Sequence, residues 1–465
     1  MTARTAPARP QSADAPAHDL AGLTDRMLDA ARRAGAEAAD AMAVAGESLS
    51  IEVRGGALEE AQRAEGVDIG LRVLIGRRQA FVSASDVRPE TIAAMAERAV
   101  AMAREAPEDP WCGLAEPGQL ARDWDIAALD LVDPAPPPGP AALEAVARRA
   151  EAAALAVPGV TRMDAAGAGW SSVSGHFAAT NGFSGGMAST GHSVQAVAIS
   201  GEGLAMERDH AHDWRAHGAD LESPETIGQR AGERAVARHG ASKPPTGAFP
   251  VVFDERVASS LIGHLVGAIN GVAIARGASW LKDAMGERVL PAGFDLVEDP
   301  FRPRIGGSRP FDAEGLPTAR RRIVADGVLT SWTLDLATGR QLGLASTANA
   351  SRDPGGPPMP TAGNLELTNG APPRSRDALL AEMGTGLLVT GLIGSSINPT
   401  TGDYSRGASG FWVENGEIVR PVNECTIAGS LRPMLASIIA ADDARAHLGR
   451  VVPSLLVDGL VIAGA

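Results

Sequence analysis

Apolar positions recur at helical spacing in "DLAGLTDRMLDAARRAGA" (19 to 36), where Leu20, Leu23, Met27, Leu28 and Ala31 share one face. The next stretches, "ESLSIEVRGG" and "VDIGLRVLIGRRQAFVSAS", are strand-like and separated by Gly-rich turns. "RPETIAAMAERAVAMAREA" (88 to 106) returns to the helical period, with Pro89 in its first turn. Helix, meander, helix predicts an N-terminal α+β domain over residues 19–115, a common domain size.

The proline run at 134 to 140 predicts a stiff linker, followed by an Ala-rich helix. From 159 onward short alternating strands are expected, with Asn181-Gly182 as a hairpin turn and a helix over 223 to 240 capped by Ser223. These features define a middle domain of mixed strand and helix, 125–243. A second joint, "ASKPPTGAFP", leads into a C-terminal β-rich domain, 246–465, with Gly-rich loops and hairpin turns at Asp326-Gly327 and Asn415-Gly416. The fold class expected for the whole is α+β. The Ala/Pro-rich residues 1–18 are expected to form a disordered tail without an apolar leader.

Composition narrows the function classes. Hydrophobic residues make up 45% of the 465, enough for a sizeable core. A formal charge of −14 argues against binding a phosphate backbone. Two distant cysteines, Cys112 and Cys425, exclude a disulfide framework and suggest a reducing, cytoplasmic setting. No long apolar window suggests a membrane span.

Four stretches could carry chemistry. "GFSGG" matches the nucleophile-elbow string around Ser184, but a strand-like stretch follows where the elbow requires a helix. His210 and His212 in "RDHAHDWRAH" alternate onto one strand face, a feasible metal spacing that no neighbouring carboxylate or thiol completes. "GDYSRG" sets Asp403, Tyr404, Ser405 and Arg406 between glycines. It reads either as a self-bonded turn or as a tight, accessible loop that binds a peptide or partner. "LIGHLVGAINGVAI" (261 to 274) starts like a metal-binding helix at His264 and continues without the expected acid and second histidine.

"NPTTGDYSRGASGFWVENGEIVRPVNECTIAGSL" (398 to 431), "VEDPFRP", "FDAEGLPT" and "GHLVGAINGVAI" closely resemble the PmbA (TldE) branch of the TldD/PmbA family. "GVDIGLRVLIGRRQAFVSASD" and "AMAREAPEDPWCGLAEP" are similar to that family's N-terminal domain, so the resemblance covers nearly the whole chain after the first twenty or so residues. It implies a subunit of a peptidase complex formed with a TldD-type partner. In that partner branch the helix carries H-E-x-x-x-H, two histidine ligands and a candidate base, with a late cysteine as third ligand. Here His264 takes the first position, Leu265 that of the acid and Ile269 that of the second histidine.

The resemblance thus implies a non-catalytic subunit acting on unfolded peptides. No metal is expected in this chain and zinc is expected in the partner, with His264 a remnant. Two other readings stay open. One is a metallopeptidase in its own right, built from His210, His212 or His264. The other is a homodimeric peptide-binding regulatory protein.

Overall fold

The structure, a computed structural model, describes residues 19–464; the expected tail at 1–18 lies outside them. Four helices and six strands form the first half: α1 (Leu20–Ala34), β1 (Ala38–Arg54), β2 (Ala57–Ile75), β3 (Arg78–Ala84), α2 (Pro89–Glu105), α3 (Pro140–Leu155), β4 (Val160–Ala179), β5 (Ser184–Ser200), β6 (Glu207–Arg215) and α4 (Pro224–Ala237). The helices start where local chemistry allows. Asp19 and Ser223 accept backbone N–H bonds at their own helix starts, and Pro89, Pro140 and Pro224 occupy first-turn positions that need no donor.

All six strands join one antiparallel sheet in the order β3-β2-β1-β4-β5-β6. The segments 19–115 and 125–243 therefore contribute three strands each to a single layer, joined where β1 pairs with β4 (Ala41↔Ala178, Ile51↔Ala168). α1 and α2 cover one end of a sheet face through Met27, Ile92 and Ala99 against Ala41, Ile69 and Leu71. α3 and α4 cover the other end through Leu143, Ala147, Ile227 and Ala231 against Ile51, Trp170 and Val194. The residues that lead into the proline run, expected to be a stiff linker, are pinned to the sheet. Thr190 donates its N–H to Leu131, and the Asp133 carboxylate accepts from Gly218 N at 2.8 Å.

The remaining strands are β7 (Gly247–Phe253), β8 (Phe294–Glu298), β9 (Arg321–Ala325), β10 (Val328–Leu329), β11 (Ala350–Ser351), β12 (Met359–Pro360) and β13 (Leu365–Asn369). They continue through β14 (Gly386–Ile397), β15 (Asp403–Glu414), β16 (Glu417–Ser430), β17 (Ile439–Ala440), β18 (Arg450–Val451) and β19 (Leu455–Ala463). One sheet runs β16-β15-β14-β7-β19-β17, and a further β16–β19 pairing closes five of these strands into a barrel. A second sheet runs β10-β9-β8-β13-β18. Interspersed are α5 (Glu255–Ala268), α6 (Gly271–Ala275), α7 (Leu336–Leu342), α8 (Arg376–Met383) and α9 (Leu431–Ala436). Asn181-Gly182, Asp326-Gly327 and Asn415-Gly416 turn between β4 and β5, β9 and β10, and β15 and β16, as their composition predicts. The molecule is α+β, as expected.

The largest apolar cluster lies between barrel and second sheet, with α5 at its centre. The two halves meet through aromatic rings. Phe311 from the C-terminal half packs on Phe183 at 5.0 Å and on Trp124 at 4.9 Å. In a chain with only 4% aromatics, this concentration makes the domain junction a core of its own. Among the described residues no helix is long and apolar enough to cross a membrane.

Candidate functional site

α5 begins where the Asp254 carboxylate accepts the N–H of Arg256 at 3.2 Å. Ala258, Leu261, Ile262, Leu265 and Ala268 form its buried face, and Ile269, its C-cap residue, is fully buried with them. Leu265 and Ile269 thus occupy core positions at 0% exposure, packed among side chains such as Val251, Trp280 and Leu387. A metal centre with an acid and a second histidine at those two positions does not fit: the space is filled with hydrocarbon, and His264 is the one ligand type in that stretch. Cys425 adds nothing to it. Its thiol donates to the Ala408 carbonyl, and burial pushes its pKa up to about 11, away from the thiolate a metal would need. Among the described residues no three His, Cys, Asp or Glu side chains are grouped to hold a metal ion, His210, His212 and His264 included.

His264 sits at the edge of the buried face, and its ring meets Tyr404 edge-on with centroids 5.8 Å apart. Its Nε2 and the Tyr404 hydroxyl are both buried without a hydrogen-bond partner. Burial, then the nearby Arg406 charge, pushes the imidazole below its ordinary pKa and so favours the neutral ring. Burial likewise raises the Tyr404 phenol well above its usual range. The pair is a small polar spot in an apolar wall, able to donate and accept one hydrogen bond each.

The loop expected at Asp403–Arg406 is the start of β15. Tyr404 pairs with Ile397 on one side and Gly429 on the other, and at 2% exposure is a core residue rather than an accessible contact. The turn lies just before it. Asn398 Oδ1 accepts from Thr400 and Thr401 N, and Gly402 adopts φ +81° with Trp280 so close that a Cβ would come within 3.1 Å of the ring. Strand alternation then splits the cluster. Asp403 is exposed and accepts from Thr401 Oγ1 at 2.6 Å, and Ser405 is half-buried in the ladder. Arg406, on the same side as Tyr404, donates from Nε to the Gly394 carbonyl at 2.8 Å.

His210 and His212 stand on the edge strand β6 with rings stacked at 5.7 Å. Their surroundings are cationic: Arg234, Arg256 and Arg445 all act to lower one or both imidazoles, after partial burial. Asp209 is already engaged by Arg256 and Arg238. Ser184 opens β5 between extended segments, so the strand-turn-helix of a nucleophile elbow is absent there; its hydroxyl lies 3.3 Å from His176 Nε2.

One feature left no motif. A cleft of about 220 Å³ lies between the first sheet and the C-terminal half, lined by Arg72, Cys112, Arg276, Glu314 and Asp335 among others. Beside it Asp40 is gripped by Arg72, whose Nε donates at 2.6 Å, and by Arg352, all three side chains nearly or fully buried. Burial and the neighbouring Asp312 raise the Glu314 carboxyl well above the ordinary range. These residues lie far apart in sequence, so only tertiary pairing brings them together.

Family models for PmbA/TldA metallopeptidases match at the first domain over residues 39–103, the central domain over 133–238 and the C-terminal domain over 246–464. The chain belongs to the PmbA/TldD family. It is 37% identical over 419 residues to the metalloprotease PmbA of Escherichia coli O157:H7, covering 90% of each chain. It is 35% identical over 441 residues to a metalloprotease PmbA homolog of Haemophilus influenzae, covering 94% of each. Among solved structures it is similar to a Bacteroides thetaiotaomicron protein provisionally described as a modulator of DNA gyrase. That structure superposes with a TM-score of 0.84 at 25% identity, over 96% of this chain and 98% of that one. TldE from Thermococcus kodakarensis shares the fold, with a TM-score of 0.82 at 20% identity over 95% and 100% of the two chains.

Proposed function

We propose that this chain is the non-catalytic, PmbA/TldE-type subunit of a PmbA/TldD-type metallopeptidase that cleaves unfolded peptides. A TldD-type subunit would supply the metal. The observation that carries this reading is the full burial of Leu265 and Ile269 in the α5 core, where a catalytic helix would present an acid and a second histidine. A lone imidazole without an adjacent base cannot bind and activate a hydrolytic water. The role left to this subunit is to complete the chamber and hold the peptide, for which exposed strand edges are suited through main-chain hydrogen bonds.

Relatives named metalloprotease PmbA favour a second reading, a peptidase with a non-standard site in this chain. Elemental analysis and assays with an unfolded peptide, on the chain alone and with a TldD-type subunit, separate the two. The expected result is no stoichiometric metal and no hydrolysis alone, with chelator-sensitive hydrolysis when both subunits are present. His264→Ala should leave the activity of the pair within a few-fold. Stoichiometric metal and chelator-sensitive activity in the isolated chain, or a loss on the order of a thousandfold for His264→Ala, overturns the proposal.

A further inference from the structure

The cleft between the first sheet and the C-terminal half points to a ligand site that goes beyond the reading above and does not depend on it. Both halves line it: Gln79 on β3 with Asp109 and Trp111 from the first, Arg276, Glu314 and Met359 from the second. None of these belongs to the polar spot of His264 and Tyr404. At about 220 Å³ the cleft has room for roughly seven water-sized groups. Drug-sized ligands occupy about 300–1,000 Å³, so this space suits a smaller molecule, on the scale of one amino acid.

Its polar groups divide into acceptors and donors. Gln79 donates from Nε2 to Asp109 Oδ2 at 3.2 Å, which leaves its Oε1 buried without a partner. A buried amide oxygen in that position is costly until a donor meets it. On the other wall, the exposed Arg276 guanidinium makes no ion pair among the described residues. Glu314, at 5% exposure, accepts the Leu336 N–H on Oε2 at 2.8 Å. Burial and Asp312 favour its protonated form, so Oε1 is left to carry the hydrogen and donate it. Behind the floor one carboxylate, Asp40, answers two guanidinium groups, Arg72 and Arg352, which leaves a surplus of positive charge. Trp111 and Met359, 36% and 45% exposed, supply apolar surface at the mouth.

We propose that this cleft binds a free α-amino acid with an apolar side chain. The carboxylate lies against Arg276 and the Glu314 hydroxyl, where the contact to the guanidinium is charge-assisted. The ammonium group donates to Gln79 Oε1 and to Asp109, and the side chain covers Trp111 and Met359. Acceptors belong to one half and donors to the other, so the ligand ties the two halves together. Binding to the folded chain alone raises its stability.

Calorimetric titration of the full chain with L-leucine tests this, alongside isocaproate and isoamylamine, which each lack one of its charged ends. Leucine should bind saturably and raise the melting temperature. Each analogue should bind about tenfold more weakly or worse, the scale of a lost hydrogen bond to a charged group. Arg276→Ala should weaken leucine by a similar factor while melting with the parent, since its side chain is exposed and unpaired. Leucine should also change the tryptophan emission of the parent and leave that of Trp111→Phe unchanged. Four results overturn the proposal: no saturable binding of leucine, analogues that bind as well as leucine, Arg276→Ala as tight as the parent, or an undiminished emission change in Trp111→Phe. Failure of the peptidase assembly with a TldD-type subunit would leave all of these results untouched.

Discussion

At the level of single residues, Tyr404 and its neighbours carry the sharpest correction. As a binding loop, the Asp403–Arg406 cluster would let Tyr404→Ala with Arg406→Ala keep its melting temperature. With Tyr404 at 2% exposure in the main core, the same pair of changes should instead unfold the protein readily. Removing a large buried aromatic costs about 3–5 kcal/mol. Tyr404→Phe separates packing from polarity. Its hydroxyl is buried and unpaired, so deleting it removes a desolvated group without a cavity, and stability should be unchanged or rise by up to about 1 kcal/mol. Denaturant unfolding of the two variants checks this; a marked loss for Tyr404→Phe would mean the hydroxyl has a partner. The identity of the cluster was legible in the sequence, but its exposure was not. Glycines on both sides suggest a turn, whereas the turn ends at Gly402 and the ladder to β14 and β16 starts at once.

Among elements, the helices and hairpins follow from local rules. Caps, first-turn prolines and Asn-Gly or Asp-Gly turns stand where the chain chemistry requires them. How closely those elements approach is a separate matter, and α3 against α4 shows it. Gly228 lies inside α4, where alanine is intrinsically better by about 1 kcal/mol. A Cβ there would come within 2.0 Å of the Ala150 carbonyl oxygen and 3.0 Å of the Ala153 methyl. Overpacking of this kind costs roughly 1–3 kcal/mol, so steric cost should win over propensity. Gly228→Ala is expected to lower the melting temperature by several degrees. A rise would mean the two helices can separate without loss, contrary to the packing of Ala147, Ala150 and Ile227 in one cluster.

For the whole molecule, the joint between the first sheet and the C-terminal half rests on an unusual choice. Asp40, at 0% exposure on β1, is shared by two buried guanidinium groups, Arg72 on β2 and Arg352 just after β11. Truncating one partner in a buried ionic group is expensive because the others are left uncompensated, about 3–5 kcal/mol. Asp40→Asn should therefore destabilise the protein on that scale in denaturant unfolding and speed amide exchange in β1, β2 and residues 350–353. If exchange speeds up in only one half, the network serves that half alone rather than the joint.

Sequence by itself determined the α+β class, the helices with their caps, the hairpin turns, and the family through its C-terminal block. Each of these depends on residues near one another in the chain, where period, turn chemistry and capping act directly. It also set the letters at 264 to 269, which exclude the acid and the second histidine beyond His264. Tertiary structure alone decided the rest. It merged two expected domains into one sheet, because β1 found β4 more than a hundred residues away. It turned an expected loop into a core strand, and it assembled Asp40, Arg72 and Arg352 from three remote segments. Burial and long-range pairing are properties of what packs against a residue, and strand alternation records only that a residue has two sides, not which of them another element will cover.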